Sequence, residues 1–219
     1  MFSVLFEVNI RSGRKDDYLA LAKHLKPLLE AVDGFVDNER FESEKRPGWL
    51  LSHSTWRDEK SVVRWRTVGE HHHVQEQGRS EIFQDYHLHV GDVIHDDVPS
   101  ASAPVREMRF DATEAGAGRY VTFVEVTPAE QALDPKQLPE TLGLPQDSPD
   151  LSGVDVWKSI YKPGKAAVTA GWRTKAAAKA WRPKPIQGAK LRHRIVRIVR
   201  DYGMFDRREA PQFYEERPH

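Results

Sequence analysis

Two stretches of this 219-residue chain repeat each other at a constant spacing of 116 residues, and that repeat limits the fold more than any other feature. RPGWLLSHSTWRDEKSVVRWR at 46–66 aligns with KPGKAAVTAGWRTKAAAKAWR at 162–182. Pro47, Gly48, Trp56, Arg57, Trp65 and Arg66 thereby match Pro163, Gly164, Trp172, Arg173, Trp181 and Arg182. Nearer the start of each copy, Glu7-Val8 matches Glu125-Val126 at a spacing of 118. Two tryptophans, two arginines and a Pro-Gly in one register indicate a duplicated unit rather than one continuous large domain.

The first copy shows what the unit is. Residues 2–10 alternate, with Phe6, Val8 and Ile10 on one side and Glu7 and Asn9 on the other, as a half-buried strand does. From Ser12 to Val32, Tyr18, Leu21, Ala22, Leu25, Leu28 and Leu29 recur at helical spacing, with Pro27 inside the run and Asp33-Gly34 ending it. Two strand-like stretches follow, joined by a turn at Lys45-Arg46-Pro47-Gly48. Residues 58–77 read as a single second helix, capped by Asp58, with Val62, Trp65, Val68 and His72 along one face. IFQDYHLHVGDVIH then alternates again.

The order βαββαβ is the ferredoxin-like unit, with two helices on one face of a four-stranded antiparallel sheet. The other face needs a cover. The sequence therefore predicts an α+β fold in which two tandem repeats pack sheet to sheet as an intramolecular barrel. The first repeat spans 1–97, a Ser/Ala/Pro/Gly-rich linker 98–118, a degenerate second repeat 119–205 and a charged tail 206–219, which is expected to fray or to dock Phe213-Tyr214 on a partner surface. The degeneracy is specific. ALDPKQLPETLGLPQDSPD has four prolines and cannot form one helix, and Pro183 and Pro185 cut the next helix short, so one copy is expected to have lost its pocket. Arg194, Arg197 and Arg200 in RHRIVRIVR read as charges that keep the edge of a final strand soluble.

Composition removes several functions. The absence of cysteine excludes disulfides, thiolate catalysis and iron–sulfur clusters. The 33 basic and 33 acidic side chains balance, which argues against a dedicated nucleic-acid binder. The apolar start MFSVLFEVNIRSG is too short for a membrane span and lacks the marks of a signal peptide, so no membrane association is expected, and the chain reads as a cytoplasmic, bacterial protein.

The βαββαβ order, the Trp56-Arg57 step into a helix, Trp65 on that helix and the histidines after it resemble the antibiotic biosynthesis monooxygenase family of the dimeric α+β barrel superfamily. The first copy matches over nearly its whole length and the second mainly from 151 to 203. The resemblance implies a cofactor-independent monooxygenase whose partners are dioxygen and a small planar phenolic or polycyclic aromatic molecule. It implies a pocket between sheet and helices, lined by a helix tryptophan, matched here by Trp65, and often by a histidine on the third strand, matched by His53. His53 shares a strand face with Trp49, Leu51 and Thr55 by alternation. The arginine that some members carry on strand four is replaced by Tyr86, His87 and His89.

The expected catalytic residues are thus His53, His72 and Tyr86, with Trp65, Trp49, Asn9 and His87 binding substrate and no metal. His72 is preferred among His71, His72 and His73 because it lies seven residues beyond Trp65, two turns along one face. His87 and His89, two apart on one strand face, could join His95 in an imidazole metal site, although the spacing matches no established motif. A haem-degrading relative offers an alternative, with His72 or His73 as axial ligand and Asn9 on the first strand. A barrel that captures a ligand without catalysis is the third reading, and a homodimer of the tandem chain is compatible with all three. The repeated Trp56 and Trp172 read as core, and Arg57, Arg66, Arg173 and Arg182 as surface ion pairs.

Overall fold

The protein is described by a computed structural model covering residues 1–128 and 133–214. The first half runs β1 (Phe2–Ile10), α1 (Lys15–Glu30), β2 (Phe35–Ser43), β3 (Trp49–Trp56), α2 (Glu59–Arg66) and α3 (Gly69–Gln77). A π-helical turn at Gly78–Ile82 then leads into β4 (Phe83–Asp96). The second half runs β5 (Tyr120–Pro128), α4 (Leu138–Thr141), β6 (Leu151–Ser159), β7 (Ala166–Trp172), α5 (Lys175–Ala180) and β8 (Ala189–Gly203). The strands close into one barrel in the order β1-β3-β2-β6-β7-β5-β8-β4, with every pair antiparallel. Each half thus keeps the ferredoxin-like order, and β2 against β6 and β4 against β8 join the two sheets. Among the described residues, no helix is long and apolar enough to cross a membrane.

The duplicated residues recur at structurally equivalent points. Gly48 and Gly164 both hold positive φ, 84° and 80°, which lets each Pro-Gly reverse the chain without a Cβ clash. At the β2–β6 seam the hydrogen bonds are reciprocal. Ser43 Oγ donates to Asp155 at 2.9 Å and Ser159 Oγ donates to Glu39 at 2.8 Å, each pair crossing from one half to the other. Arg46 Nε reaches Asp155 at 2.6 Å, and its counterpart Lys162 reaches Glu39 at 2.7 Å.

The barrel interior is packed by Leu5, Phe41, Leu51, Phe123, Trp157 and Ile198, but it is not purely apolar. Lys165 bridges Glu39 and Glu125, and Arg194, 1% exposed, pairs with Glu125 and donates to Thr55 Oγ1 at 3.0 Å. Each interior charge needs such a partner, because an unpaired ion there would cost several kcal/mol. The expectation of a solubilising edge at 192–200 is therefore corrected. β8 pairs on both sides, so it has no edge; Arg194 turns into the barrel onto Glu125, and Arg197, on the opposite face, pairs with Asp92 and donates to the Arg109 carbonyl.

Three local expectations also change. The run 58–77 is two helices, broken at Thr67-Val68 where Val68 adopts extended ψ of 122°. Residues 98–118 carry no helix or strand, yet Ala103 is fully buried and Asp92 Oδ2 accepts the amides of Met108 and Arg109. The tail folds back on its own chain, with Gln212 Nε2 donating to Gln75 Oε1 at 3.3 Å, while Phe213 stays 90% exposed.

Candidate functional site

Strand parity decides what the first half presents to its helices. Even-numbered residues of β1 and β3, of β2 from Asn38 to Arg40 and of β4 from Tyr86 to Val90 face them, and the register lines these up across the sheet. Arg40, Ser52, Phe6 and Leu88 form one row, and Asn38, Ser54, Val4 and Val90 the next. Above these rows lies α1, which buries Tyr18, Ala22, Leu25 and Leu29 at spacings of four, three and four. α2 starts where Asp58 accepts the Ser61 amide at 2.9 Å. Between sheet and helices is a cavity of about 200 Å³. Apolar Phe6, Leu25, Val62 and Leu88 line most of it, and Trp65, His71, Tyr86 and Tyr214 add aromatic and polar groups.

Trp65 and His71 act as a unit. Their rings stack 4.1 Å apart at 21°, and His71 Nδ1 is 3.1 Å from the Trp65 carbonyl oxygen. A carbonyl only accepts, so Nδ1 carries the proton and Nε2 presents its lone pair. Burial pushes the His71 pKa down to about 4, against a smaller rise from the hydrogen bond to Trp65, so the ring is neutral near pH 7. The break at Thr67-Val68 is what brings His71, rather than His72, beneath the tryptophan.

Tyr86 is the second polar feature. Its hydroxyl oxygen accepts from Arg79 and from Arg207 Nη1, the latter at 2.8 Å. Arg207 belongs to the tail, which also brings Tyr214 to the cavity wall, its ring 6.0 Å from that of His72. With two guanidinium donors on its oxygen, the phenol keeps its own proton to donate.

Of the residues expected from sequence, the fold brings Trp65 and Tyr86 together in the cavity. The others lie elsewhere. His53, Trp49 and Asn9 fall on odd positions, which face the barrel interior and its rim rather than the helices. His53 is 2% exposed, its Nε2 lies 2.9 Å from Ser3 Oγ, and its ring packs 4.5 Å from Phe123. Burial first, and then the charges of Arg194, Arg192 and Lys165, hold it neutral well below the usual imidazole range. Trp49 lies 4.5 Å beneath the Arg46 guanidinium. The shared face of Trp49, Leu51, His53 and Thr55 is real, but it looks into the barrel. Ser52 and Ser54, on the other face of β3, line the cavity instead.

His72 is exposed and pairs with Glu76 at 3.3 Å, and His73 is exposed beside it. Neither imidazole lines the cavity, so the residues present do not fit a haem ligated by His72 or His73. His87 is also on an odd position and hydrogen-bonds Asp201, with His89 Nδ1 3.3 Å from the other carboxylate oxygen. Among the described residues these three could hold a metal, their ligand atoms lying within 4.8 Å of one another, whereas the expected third member, His95, packs beside His193 instead. As folded, His87 and Asp201 pair with each other. Burial lowers the His87 pKa, but the Asp201 hydrogen bond and charge outweigh it and leave it raised, while Asp201 stays below the carboxylate range despite its own burial.

Residues 1–77 match the family model described as antibiotic biosynthesis monooxygenase. A protein of the fungus Pyricularia oryzae named "Jasmonate monooxygenase ABM" is 39% identical over 219 residues, covering 98% of each chain. This relative gives no support to the expected bacterial source. Among solved structures, an anthrone oxidase-like protein is 16% identical and covers 96% of both chains, with a TM-score of 0.38. An antibiotic biosynthesis monooxygenase is 18% identical, covering 45% of this chain and 100% of its own, with a TM-score of 0.39. Identity of 39% along nearly the whole length of both chains is enough to state that this protein belongs to the antibiotic biosynthesis monooxygenase family.

Proposed function

We propose that the chain is a cofactor-independent monooxygenase that oxidises a small, mostly apolar substrate held between the first-half sheet and α1, α2 and α3. The observation that carries this reading is the apolar cavity of about 200 Å³ with a proton acceptor, His71 Nε2, and a hydroxyl donor, Tyr86, in its wall. For a planar phenolic or polycyclic aromatic substrate with an acidic methylene, the substrate itself supplies the electrons. His71 takes a proton from the substrate, the carbanion reduces dioxygen, and the resulting peroxide collapses. One oxygen atom stays as a carbonyl, and the other leaves as water with the two methylene hydrogens. His71 is a weak base in the empty site, but a developing anion nearby raises its affinity for the proton. Tyr86 donates to the developing oxyanion, where an oriented donor screened from water is most effective. Trp65 packs on the substrate body.

The relative named as a jasmonate monooxygenase favours a second reading in which the substrate is jasmonate or a similar small oxygenated acid. Oxygen uptake by purified protein, with an anthrone-type phenol and with jasmonate supplied separately, decides between them. Uptake with one and not the other assigns the class. Tryptophan quenching by both with uptake by neither would mean a barrel that captures ligands without oxidising them.

A further inference from the structure

The chain has equal numbers of basic and acidic side chains, but its cavity does not. Five arginines line it, Arg40, Arg66, Arg79, Arg200 and Arg207, against a single carboxylate, Glu59. Glu59 is itself held by Arg109 at 2.6 Å, with Arg200 at 4.0 Å. Arg207 is occupied by neutral acceptors, the Tyr86 hydroxyl and the carbonyls of Gly203 and Gln212.

Arg40 and Arg66 have no such partner among the described residues, and of these two Arg40 is the one with a buried guanidinium nitrogen left unpaired. It stands on β2 at the end of a row that continues through Ser52 and Phe6 to Leu88. Among the described residues its guanidinium makes no ion pair, and its Nε is buried without a hydrogen-bond partner. Its neighbours are also donors. Asn38 Nδ2 donates to Ser52 Oγ at 3.0 Å and to the His53 carbonyl at 2.9 Å, so the Ser52 hydroxyl, already accepting, keeps its proton to give away. A half-buried cation beside a free hydroxyl donor is costly when empty and well matched to a planar, two-oxygen anion.

We propose that Arg40, with Ser52, anchors a carboxylate, so that the substrate of the oxidation proposed above, on which this inference rests, is an amphipathic monoacid. Its hydrocarbon body lies along Phe6 and Leu88 and its reacting carbon lies toward Tyr86 and His71. Tyr86 on β4 is three strand spacings from Arg40 on β2, about 14 Å at about 4.8 Å per strand, which leaves room for a ring system between the acid and the reacting carbon.

The test is calorimetric titration of the full-length protein, without dioxygen, using naphthylacetate and its methyl ester. Wild type should bind the acid at least about tenfold more tightly than the ester, the size expected for a charge-assisted hydrogen-bonded pair. Arg40→Gln should abolish that preference while leaving ester affinity unchanged, and the retained ester binding shows that the cavity is intact. Arg40→Lys, which keeps the charge but loses the planar fork, should fall between and serves if the glutamine variant does not fold. Equal binding of acid and ester by wild type, or an acid preference that survives Arg40→Gln, overturns the anchor. Oxygen uptake separates the two ideas: equal uptake with acids and their esters sinks the anchor alone. Arg40-dependent acid binding with no uptake from any compound sinks the oxidation and leaves the anchor standing.

Discussion

The two halves share a strand order and a set of repeated tryptophans, yet only in the first do the helices stand clear of the sheet around the described cavity. There α1 runs sixteen residues, and Trp65, in the last turn of α2, stacks on His71 at the edge of open space. In the second half, among the described residues, the covering segment that carries Pro135 and Pro139 forms only a short turn and the four-residue α4. Leu138 and Leu142 therefore drop onto the sheet against Val126, Val156 and Val168. Trp181, the counterpart of Trp65, caps the six-residue α5 and is 5% exposed, its ring 6.0 Å from that of Trp172. The same indole thus lines a cavity in one copy and fills the equivalent space in the other. What distinguishes them is the length of the covering helices, not the tryptophan.

The largest effects should separate those roles. His71→Ala should cut turnover by about a hundredfold or more, the usual loss when a proton acceptor is removed, while the adjacent His72→Ala leaves kcat unchanged. Equal losses from both would place the acceptor elsewhere. Trp181→Ala should destabilise the fold by about 3–5 kcal/mol in urea titration, because it empties a packed core. Trp65→Ala should cost no more than about 1–2 kcal/mol in stability and appear instead as weakened ligand binding. If Trp65→Ala proved the more destabilising, the contrast between lining and filling would fail.

A smaller effect concerns Tyr86. Tyr86→Phe should lower turnover by about tenfold, since the lost group is one oriented hydroxyl donor, with a modest change in KM. The pH dependence sharpens the comparison across both halves. His71 in the first half and His193 in the second each have a folded pKa of about 4 against 6.5 for free imidazole, both mainly through burial. Between those values the unfolded chain binds protons that the folded chain does not. Stability should therefore fall as pH drops from about 6.5 toward 4 and be flat above. Buried His53 acts in the same direction, and His87, with its raised pKa, in the opposite one, adding stability that fades as pH rises above 6.5. Chemical denaturation at pH 5 and pH 7 should show lower stability at pH 5, and replacing His193 should reduce the difference.

The fold was legible because its signals are local. Alternation marked the strands, and the Pro-Gly and Trp-Arg pairs fixed the register of the copies. Trp65 and Tyr86, which only the family resemblance singled out, do line the cavity. His71 was missed because counting seven residues from Trp65 assumes an unbroken helix, and nothing in Thr67-Val68-Gly69 other than the weak helix former Gly69 warns of the break. His53 was misplaced for a different reason. Alternation tells which residues share a face, not which face meets the helices, and a barrel interior that holds paired charges and a Ser3–His53 contact accommodates a histidine as readily as a pocket does. The tail's contribution, Arg207 and Tyr214, has no periodicity at all and shows only once the chain has returned to the cavity mouth.

Closing the ring inside one polypeptide has an evolutionary consequence. In a symmetric dimer every substitution is made twice, so a proline that collapses one pocket collapses both, and any loss of function is complete. Here β2 meets β6 and β4 meets β8 within a single chain, and each position mutates alone. One copy is free to become a packed buttress and accumulate prolines while the other keeps its cavity.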